Sequence, residues 1–270
     1  MFVLGGSLLA AGGCSVAPTY HKERLAESLK QVLAQDHITA TVQLIDHTLA
    51  IQFEYPKALA KSADGTQLGL GPGFEEGARI VLTGIHRVVL SSDADVQFYL
   101  LLISDPELPG AYLTMVRYME DIRKANASVI GVTEMMSRTV FELNVVDAPP
   151  LTLSQYLPRE IHLTDFLTWQ LTRRLRQELT EALQPDSAVS VDRCQGQFIN
   201  GEFVFALNVA PTGGQPLDED TLHVVFGTAT QLIGKVLSGY HFDSFSSVRL
   251  INPATGRNIV LPRANLQGIH

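Results

Sequence analysis

Two stretches of sequence, RLAESLKQVLAQD at residues 24–36 and RLRQELTEALQPD at residues 174–186, decide how the rest of the chain is interpreted. In both, apolar residues recur at the spacing of one helical face, which predicts an amphipathic helix. The matching apolar positions are Leu25, Leu29, Val32 and Leu33 in the first stretch and Leu175, Leu179, Ala182 and Leu183 in the second. This correspondence predicts an internal repeat.

An apparent β-hairpin follows each helix. The first pairs TATVQLID with HTLAIQFEYP across residues 39–56, and the second pairs AVSVDRCQGQFI with GEFVFALNVAP across residues 188–211. Asn200-Gly201 is a strong signal for a tight turn because both residues tolerate positive φ, and Asp46-His47 is a weaker one.

A second helix and two further strands complete each copy. GFEEGARIVLTGIHRVVL (73–90) aligns with PLDEDTLHVVFGTATQLI (216–233), so that Gly84 falls on Gly227. A glycine inside a helix costs about 1 kcal/mol relative to alanine, so we expect both glycines to permit close backbone packing. The strand pairs ISDPELPGAYLTMV (103–116) and LINPATGRNIVL (250–261) then follow around turns.

The predicted order of elements is therefore α-β-β-α-β-β in both halves. Short hairpins imply antiparallel pairing, and antiparallel sheets commonly carry helices on one face. We predict an α+β protein made of two duplicated units related by a pseudo-twofold axis, in which residues 24–118 and 174–263 superpose as one fold. The alternative is a coincidental likeness between two α+β segments.

The sequence between the copies suggests how the chain is divided. VTEMMSRTVFEL (132–143) predicts a short helix, and the Asp-Ala-Pro-Pro run at 147–150 breaks regular structure. The Gly-rich and Ala-rich loop 57–72 is expected to be mobile. The predicted organisation is a signal peptide at 1–13, a tether at 14–22, a first unit with a C-terminal insert at 23–146, a linker at 147–163 and a second unit at 164–270.

The chain begins with an apolar run that ends at a cysteine. Residues 2–11 are apolar or small, and a run of about ten residues is too short to span a bilayer but suits the core of a secretory signal. The stretch Ala11-Gly12-Gly13-Cys14-Ser15 resembles the lipobox of bacterial lipoproteins, although Ala11 stands where that family usually has Leu and no Lys or Arg precedes Lys22. The alternative is a buried N-terminal element with a core cysteine.

This resemblance implies a cellular location. In the lipoprotein family the peptide is cut before the cysteine, which carries acyl chains such as palmitate and attaches the protein to a membrane. A residue other than Asp after the cysteine usually permits transfer to the outer membrane of a diderm bacterium. Cys14 and Ser15 therefore imply a lipid-anchored protein on the periplasmic face of that membrane, if the source is a diderm.

Composition argues against several classes of function. The chain of 270 residues has a net charge of −8 and a pI near 5.4, which disfavours nucleic-acid binding because that requires clustered cations. Cys194 lacks an intramolecular partner if Cys14 carries lipid, and we expect it to be a small buried hydrophobe. Metal-binding spacings and a nucleophile elbow are missing from the sequence, so we expect no cofactor and no metal.

Two weak chemical signals have simpler explanations. The glycine-rich loop GLGPGFEE (69–76) precedes a helix but lacks the spacing and lysine of a phosphate loop, so we interpret it as a helix start. His241-Phe242-Asp243 would supply only a fragment of a metal site.

One helix face is a candidate interaction surface. In the helix beginning at Thr164 a leucine stripe supplies the core face, while Phe166, Trp169 and Arg173 share a second row. Tryptophan beside arginine is typical of interaction hot spots. The alternative is that this row packs against the insert or the other half.

Three functions remain open at this point. The first is a non-enzymatic scaffold or adaptor of the cell envelope, tethered by lipid and bound to a protein partner. The second is a periplasmic module that holds a small ligand or glycan between the two halves. The third is a hydrolase whose site the sequence does not reveal.

Overall fold

The computed structural model describes residues 18–62, 64–65, 67–145, 152–182, 189–211 and 219–266. The predicted signal peptide and Cys14 lie outside these residues. The end of the predicted tether is described and is docked on the first unit: the Thr19 backbone N–H donates to the Ser91 carbonyl oxygen at 2.9 Å, and that of Lys22 to Asp93 Oδ1 at 2.6 Å.

The elements of the first half and its extension are α1 (Leu25–Gln35), β1 (Ala40–Ile45), β2 (Thr48–Glu54), β3 (Leu59–Lys61), β4 (Leu68–Leu70), α2 (Phe74–Val89), β5 (Phe98–Ser104), β6 (Ala111–Tyr118), α3 (Met119–Asn126), α4 (Val132–Arg138) and β7 (Val140–Val145). The second half contains α5 (Leu153–Tyr156), α6 (Leu163–Ala182), β8 (Val189–Ile199), β9 (Glu202–Pro211), α7 (Glu219–Gly239), β10 (Ser247–Asn252) and β11 (Arg257–Pro262). The α+β class is therefore confirmed.

Four strands have the same arrangement in both halves, and the first sheet carries β7 as an additional edge strand. Among the described residues one sheet has the order β1-β2-β5-β6-β7 and another β11-β10-β9-β8, while β3 and β4 form a separate ribbon. In both sheets hairpins pair antiparallel, and the strands that flank the second helix of the unit, β2 with β5 and β9 with β10, pair parallel. The equal topology is compatible with duplication, which stays a prediction.

Most strand pairs among the described residues are antiparallel, as predicted, and the one parallel pair in each main sheet is the exception. A parallel pair needs a crossover connection of a dozen residues or more, usually a helix. α2 and α7 supply this connection, so the strands that they join run in the same direction. The sequence prediction considered the hairpins and overlooked the crossover.

The turns form where the sequence predicts them. Asp46 has φ 49°, and Asn200 and Gly201 have φ 52° and 78°, so each reversal uses the left-handed backbone region. Gly110 and Gly256 occupy the same region at φ 82° and 70°, within the β5–β6 and β10–β11 turns. These turns fix the register of the hairpins that they close.

The first sheet is buried on both faces, which corrects the prediction of helices on one face only. Leu49, Ile51 and Tyr99 pack towards α1 and α2. Phe98 and Leu100 point to the other face, which is covered by the segment from α5 to the start of α6. The strand sequence FYLLLIS is apolar at successive positions, and such a strand buries both faces. In the second sheet β9 alternates buried and half-buried residues, as predicted.

Two segments contain elements that the sequence did not predict. The loop 57–72 contains the β3–β4 ribbon, in which Leu59 is buried, and the preceding Ala58 is buried as well. Gly71 fits there because a Cβ atom would approach the Lys57 carbonyl oxygen to 2.2 Å. The predicted helix over 132–143 ends at Arg138, and β7 follows as a strand of the first sheet, because Val140 and Phe141 are β-formers that pack on β6.

The two aligned glycines differ in their surroundings. At Gly84 a Cβ atom would lie 2.9 Å from Leu33 Cδ2, so the Leu33 side chain would have to shift to accept it. At Gly227 nothing lies within 4 Å of that position. The packing prediction therefore holds for Gly84 and fails for Gly227, which is exposed on α7.

A helix needs about 20 consecutive, mostly apolar residues to cross a bilayer. Within the described ranges, no helix combines the length and the apolar character that a membrane span needs.

Candidate functional site

Helix α6 joins the two halves. Leu167, Leu171, Leu175 and Leu179 are fully buried in the core of the second unit, as the leucine stripe predicts. The last leucine of the stripe, Leu183, lies outside the described residues.

Phe166 on α6 packs against the first unit. It is fully buried, and its ring centroid lies 5.5 Å from that of Phe98, 6.2 Å from that of Tyr118 and 6.0 Å from that of Tyr240. Tyr240 directly follows α7, so these rings join both halves in one aromatic cluster. For Phe166 the internal-packing alternative therefore applies, and it is a junction residue instead of a docking residue.

Trp169 remains at the surface. Its side chain is 40% exposed and borders a cleft of about 480 Å³ between the two units. Leu100, Thr114 and Val116 of the first sheet line one side of this cleft. Other lining residues are Cys194 and Gly196 of β8, so the cleft lies between the last strand of one sheet and the first strand of the other.

Arg173 lies at the boundary of the same cleft. Its Nη1 donates to the Thr139 carbonyl oxygen at 2.9 Å, and its guanidinium lies 5.6 Å from the Phe141 ring centroid. Burial, together with repulsion from Arg176 and Arg174, lowers the pKa of Arg173 below its ordinary value. In the described part of the chain neither Arg173 nor the exposed Arg176 takes part in an ion pair.

The nearby acids are already engaged, with one exception. Asp165 accepts two hydrogen bonds from Arg159 at 2.7 and 2.9 Å and one from the His162 backbone. Burial alone would raise the pKa of Asp165, but these hydrogen bonds outweigh it and lower the pKa. Glu160 accepts from the His47 backbone N–H at 3.2 Å. Glu142 on β7 is exposed.

A second cleft, of about 970 Å³, lies on the other face of β7. Leu70 and Leu143 line it, together with Phe141, Glu142, Arg173 and Arg176, which also line the first cleft. The two clefts therefore meet around the edge of β7. We call the combined feature the inter-unit groove and define it by Trp169, Phe141, Glu142, Arg173 and Arg176.

A polar network fixes the units beside the groove. Arg138 Nη1 donates to Asp121 Oδ1 at 2.8 Å, and the Tyr240 hydroxyl donates to Asp121 Oδ2 at 2.9 Å. Gln170 Nε2 donates to the Tyr240 hydroxyl at 3.0 Å and to the Arg138 carbonyl oxygen at 2.6 Å. Burial, followed by the Asp121 carboxylate, raises the pKa of Tyr240, so its hydroxyl keeps its proton and acts as a donor.

A further cleft, of about 1030 Å³, lies between α4 and the end of α7. Arg138, Arg174, Lys235 and Arg263 line it. Arg138 is paired with Asp121 and Glu134, and Arg174 with Glu178, so two of these four positive charges are already neutralised. The cleft offers less uncompensated charge than its residue types suggest.

Catalytic chemistry finds little support in the described residues. Burial raises the pKa of the Cys194 thiol to about 12, so the nucleophilic thiolate is almost unpopulated at neutral pH. Within the described ranges, no group of three or more His, Cys, Asp or Glu side chains is placed to hold a metal ion. The loop 69–76 leads directly into α2, with Gly73 at the N-cap position, as expected for a helix start.

Some groove residues were not predicted from the sequence. Arg176 lies one helical turn after Arg173, which is a signal that helical spacing could have provided. Phe141 and Glu142 were missed because their segment was assigned to a helix.

Comparison with known proteins does not identify a relative of this chain. The chain matches no protein-family model, and comparisons with curated proteins and with solved structures find no significant match.

Proposed function

We propose that this protein is a lipid-anchored lipoprotein of the bacterial cell envelope that acts as a non-enzymatic adaptor and holds a partner protein in the inter-unit groove. The anchor is Cys14, and the location is the periplasmic face of the outer membrane if the source is a diderm. The lipobox-like residues 11–15 support the anchor. Residues 19–22 are hydrogen-bonded to the first unit and would connect it to the anchor.

The observation that carries the adaptor role is the exposure of Trp169 beside Arg173 and Arg176, neither of which forms an ion pair with a described residue. Trp and Arg are enriched at the energetic centres of interfaces. Arg173 is held in place by Thr139 and Phe141, so less side-chain entropy would be lost when a partner binds.

The second candidate is a module that binds a small ligand or glycan. A cleft of about 480 Å³ bordered by Tyr156 and Trp169 falls within the range of small-molecule sites. Native mass spectrometry of protein released gently from membranes would distinguish the candidates. A bound compound of constant mass that is lost in Trp169→Ala would favour this module over the adaptor.

The anchor is tested on the intact chain expressed in a diderm bacterium. We expect a mature N-terminus at Cys14 that carries acyl chains, detected by mass spectrometry, and recovery of the protein with outer membranes. Cys14→Ser should be released into the soluble fraction. An unmodified Cys14, or an intact leader in the mature protein, would contradict the anchor.

The adaptor role is tested by site-specific cross-linking in cells. A photoreactive amino acid at position 169 should give one discrete protein adduct, whereas the same group at Val224, an exposed apolar site on α7, should not. Replacing Arg173 and Arg176 by Glu should abolish the adduct, and Arg87→Glu on α2 should preserve it. Equal adducts at positions 169 and 224 would contradict the proposed groove.

A further inference from the structure

The edge of β7 is open to pairing. In the described part of the chain β7 pairs only with β6, and it is the last strand of its sheet. Leu143 is 37% exposed and Val145 is 68% exposed, so apolar side chains accompany the free edge. Free edges present unpaired N–H and C=O groups that can accept another strand.

The opposite side of the groove is also a sheet edge. β8 is the terminal strand of the second sheet, and its Cys194 and Gly196 line the cleft that Val140 and Phe141 line from β7. Position 196 has no room for a side chain, because a Cβ atom on Gly196 would approach Thr172 Oγ1 to 2.2 Å. A concave space between two strand edges suits an extended chain more than a helix or a compact ligand.

The charges beside β7 specify the kind of chain. Arg173 and Arg176 lie next to Phe141 and Glu142, and ion pairs for either arginine are missing from the described residues. Glu142 and, in the second cleft, Glu75 also line the groove, but within the described residues neither forms an ion pair with these arginines. Acidic side chains of an incoming strand would meet these guanidinium groups, since arginine binds carboxylates through a fork of N–H donors.

We propose that β7 takes up an extended, acidic segment of a partner protein as an additional strand, with its carboxylates on Arg173 and Arg176. This inference rests on the proposed function, in which the groove holds a partner. Main-chain pairing supplies affinity in such strand additions, and side-chain pockets supply specificity. Here Trp169 and the two arginines supply the specificity.

A second copy of this chain is a less suitable occupant. A twofold pairing of β7 with β7 places the same surface on both sides of the interface. The arginines of one copy would then approach those of the other.

The test uses the full chain in mild detergent and defined peptides. Trp169 is the only tryptophan, so its fluorescence reports the groove directly. The probe is acetyl-TVDVTVDV-amide, with acetyl-TVKVTVKV-amide as its charge-reversed control. We expect a saturable change in emission with the acidic peptide, and binding at least tenfold weaker for the lysine peptide and for the Arg173→Ala/Arg176→Ala variant.

Amide hydrogen exchange then identifies the pairing. With the acidic peptide bound, exchange should slow at least tenfold for alternate amides of β7 and stay unchanged in β11, the edge strand at the far side of the second sheet. Leu143→Lys on β7 should weaken peptide binding at least tenfold. Val260→Lys on β11, the matched control, should leave it unchanged.

Each other outcome has a defined meaning. Binding without protection of β7 would overturn strand addition and leave the adaptor proposal standing. If the acidic peptide fails to bind while cross-linking at position 169 persists in cells, strand addition is also overturned and the adaptor proposal stands. Loss of both signals would overturn the adaptor proposal as well. Protection of β7 that rises with protein concentration without peptide would identify a second copy as the occupant and overturn the inference.

Discussion

The Tyr240 hydroxyl, at the end of α7, donates a hydrogen bond of 2.9 Å to the carboxylate of Asp121 on α3. The Arg138 guanidinium lies 4.9 Å from the Tyr240 ring centroid and donates to the same carboxylate. One buried acid therefore joins elements of both units. The groove beside it consequently has walls in a fixed relative position, which favours binding with little rearrangement.

Asp121→Ala should destabilise the protein by about 3 kcal/mol, because it leaves a largely buried arginine without its main partner. Glu134→Ala is the matched control, since Glu134 pairs with the same Arg138 but its side chain is 49% exposed, against 5% for Asp121. We expect the control to cost less than about 1 kcal/mol. Urea unfolding measures both, and equal losses would contradict the junction role of Asp121.

Phe166→Ala should cost about 3–5 kcal/mol of folding stability, because a fully buried aromatic ring leaves a cavity. Trp169→Ala should cost only about 1 kcal/mol, because its side chain is 40% exposed. The Trp169 variant should nevertheless lose the partner adduct formed by a photoreactive group at position 143 on β7. A large loss of stability in Trp169→Ala with an unchanged adduct would assign the indole to the core.

Substitution of the two aligned glycines should have opposite effects. Gly227→Ala should stabilise the protein by about 0.5–1 kcal/mol, because the site is open and alanine favours the helix. Gly84→Ala should destabilise it, because the new methyl group would displace the buried Leu33 side chain. Thermal unfolding of both variants provides the comparison. A stabilising Gly84→Ala would refute the tight α1–α2 contact.

Stability should fall as the solution is acidified, in part through His86. Burial, followed by repulsion from Arg117, lowers the pKa of His86 below its ordinary value of 6.5. In the window below 6.5 the unfolded chain therefore binds more protons at this site than the folded one, so folding stability decreases with falling pH. Between pH 7.5 and 5.5 the wild type should lose more stability in urea than His86→Leu. Parallel losses in the two proteins would exclude this contribution.

Cys194 should resist thiol reagents in the folded protein and react after denaturation. Burial raises the pKa of its thiol to about 12, so little thiolate is available at pH 8. In the denatured mature protein one reactive thiol is expected, since an acylated Cys14 does not react. Two reactive thiols would contradict lipid modification, and rapid labelling of native protein would contradict the burial of Cys194.

The sequence predicted those features that depend on local chemistry. Helical periodicity identified α1, α6 and the leucine stripe, because the face of an isolated helix is determined by residues three and four positions apart. Turn residues such as Asn200-Gly201 located the hairpins, because few residues accept positive φ. The exposure of Trp169 agreed with its position away from the stripe.

The tertiary structure decided what depends on residues distant in sequence. Helix crossovers made the central strands parallel, and the segment after β7 covered the second face of the first sheet, so Phe166 became core while Trp169, on the same row, stayed exposed. Val140 to Val145 became a strand because β6 offered an edge that pairs every backbone group facing it. By itself the sequence determined the α+β class, the hairpins and the amphipathic helices. Only long-range packing left the β7 edge without a partner strand among the described residues and brought Arg173 and Arg176 to it. Contacts across the chain are fixed when the units dock and not by neighbours in sequence.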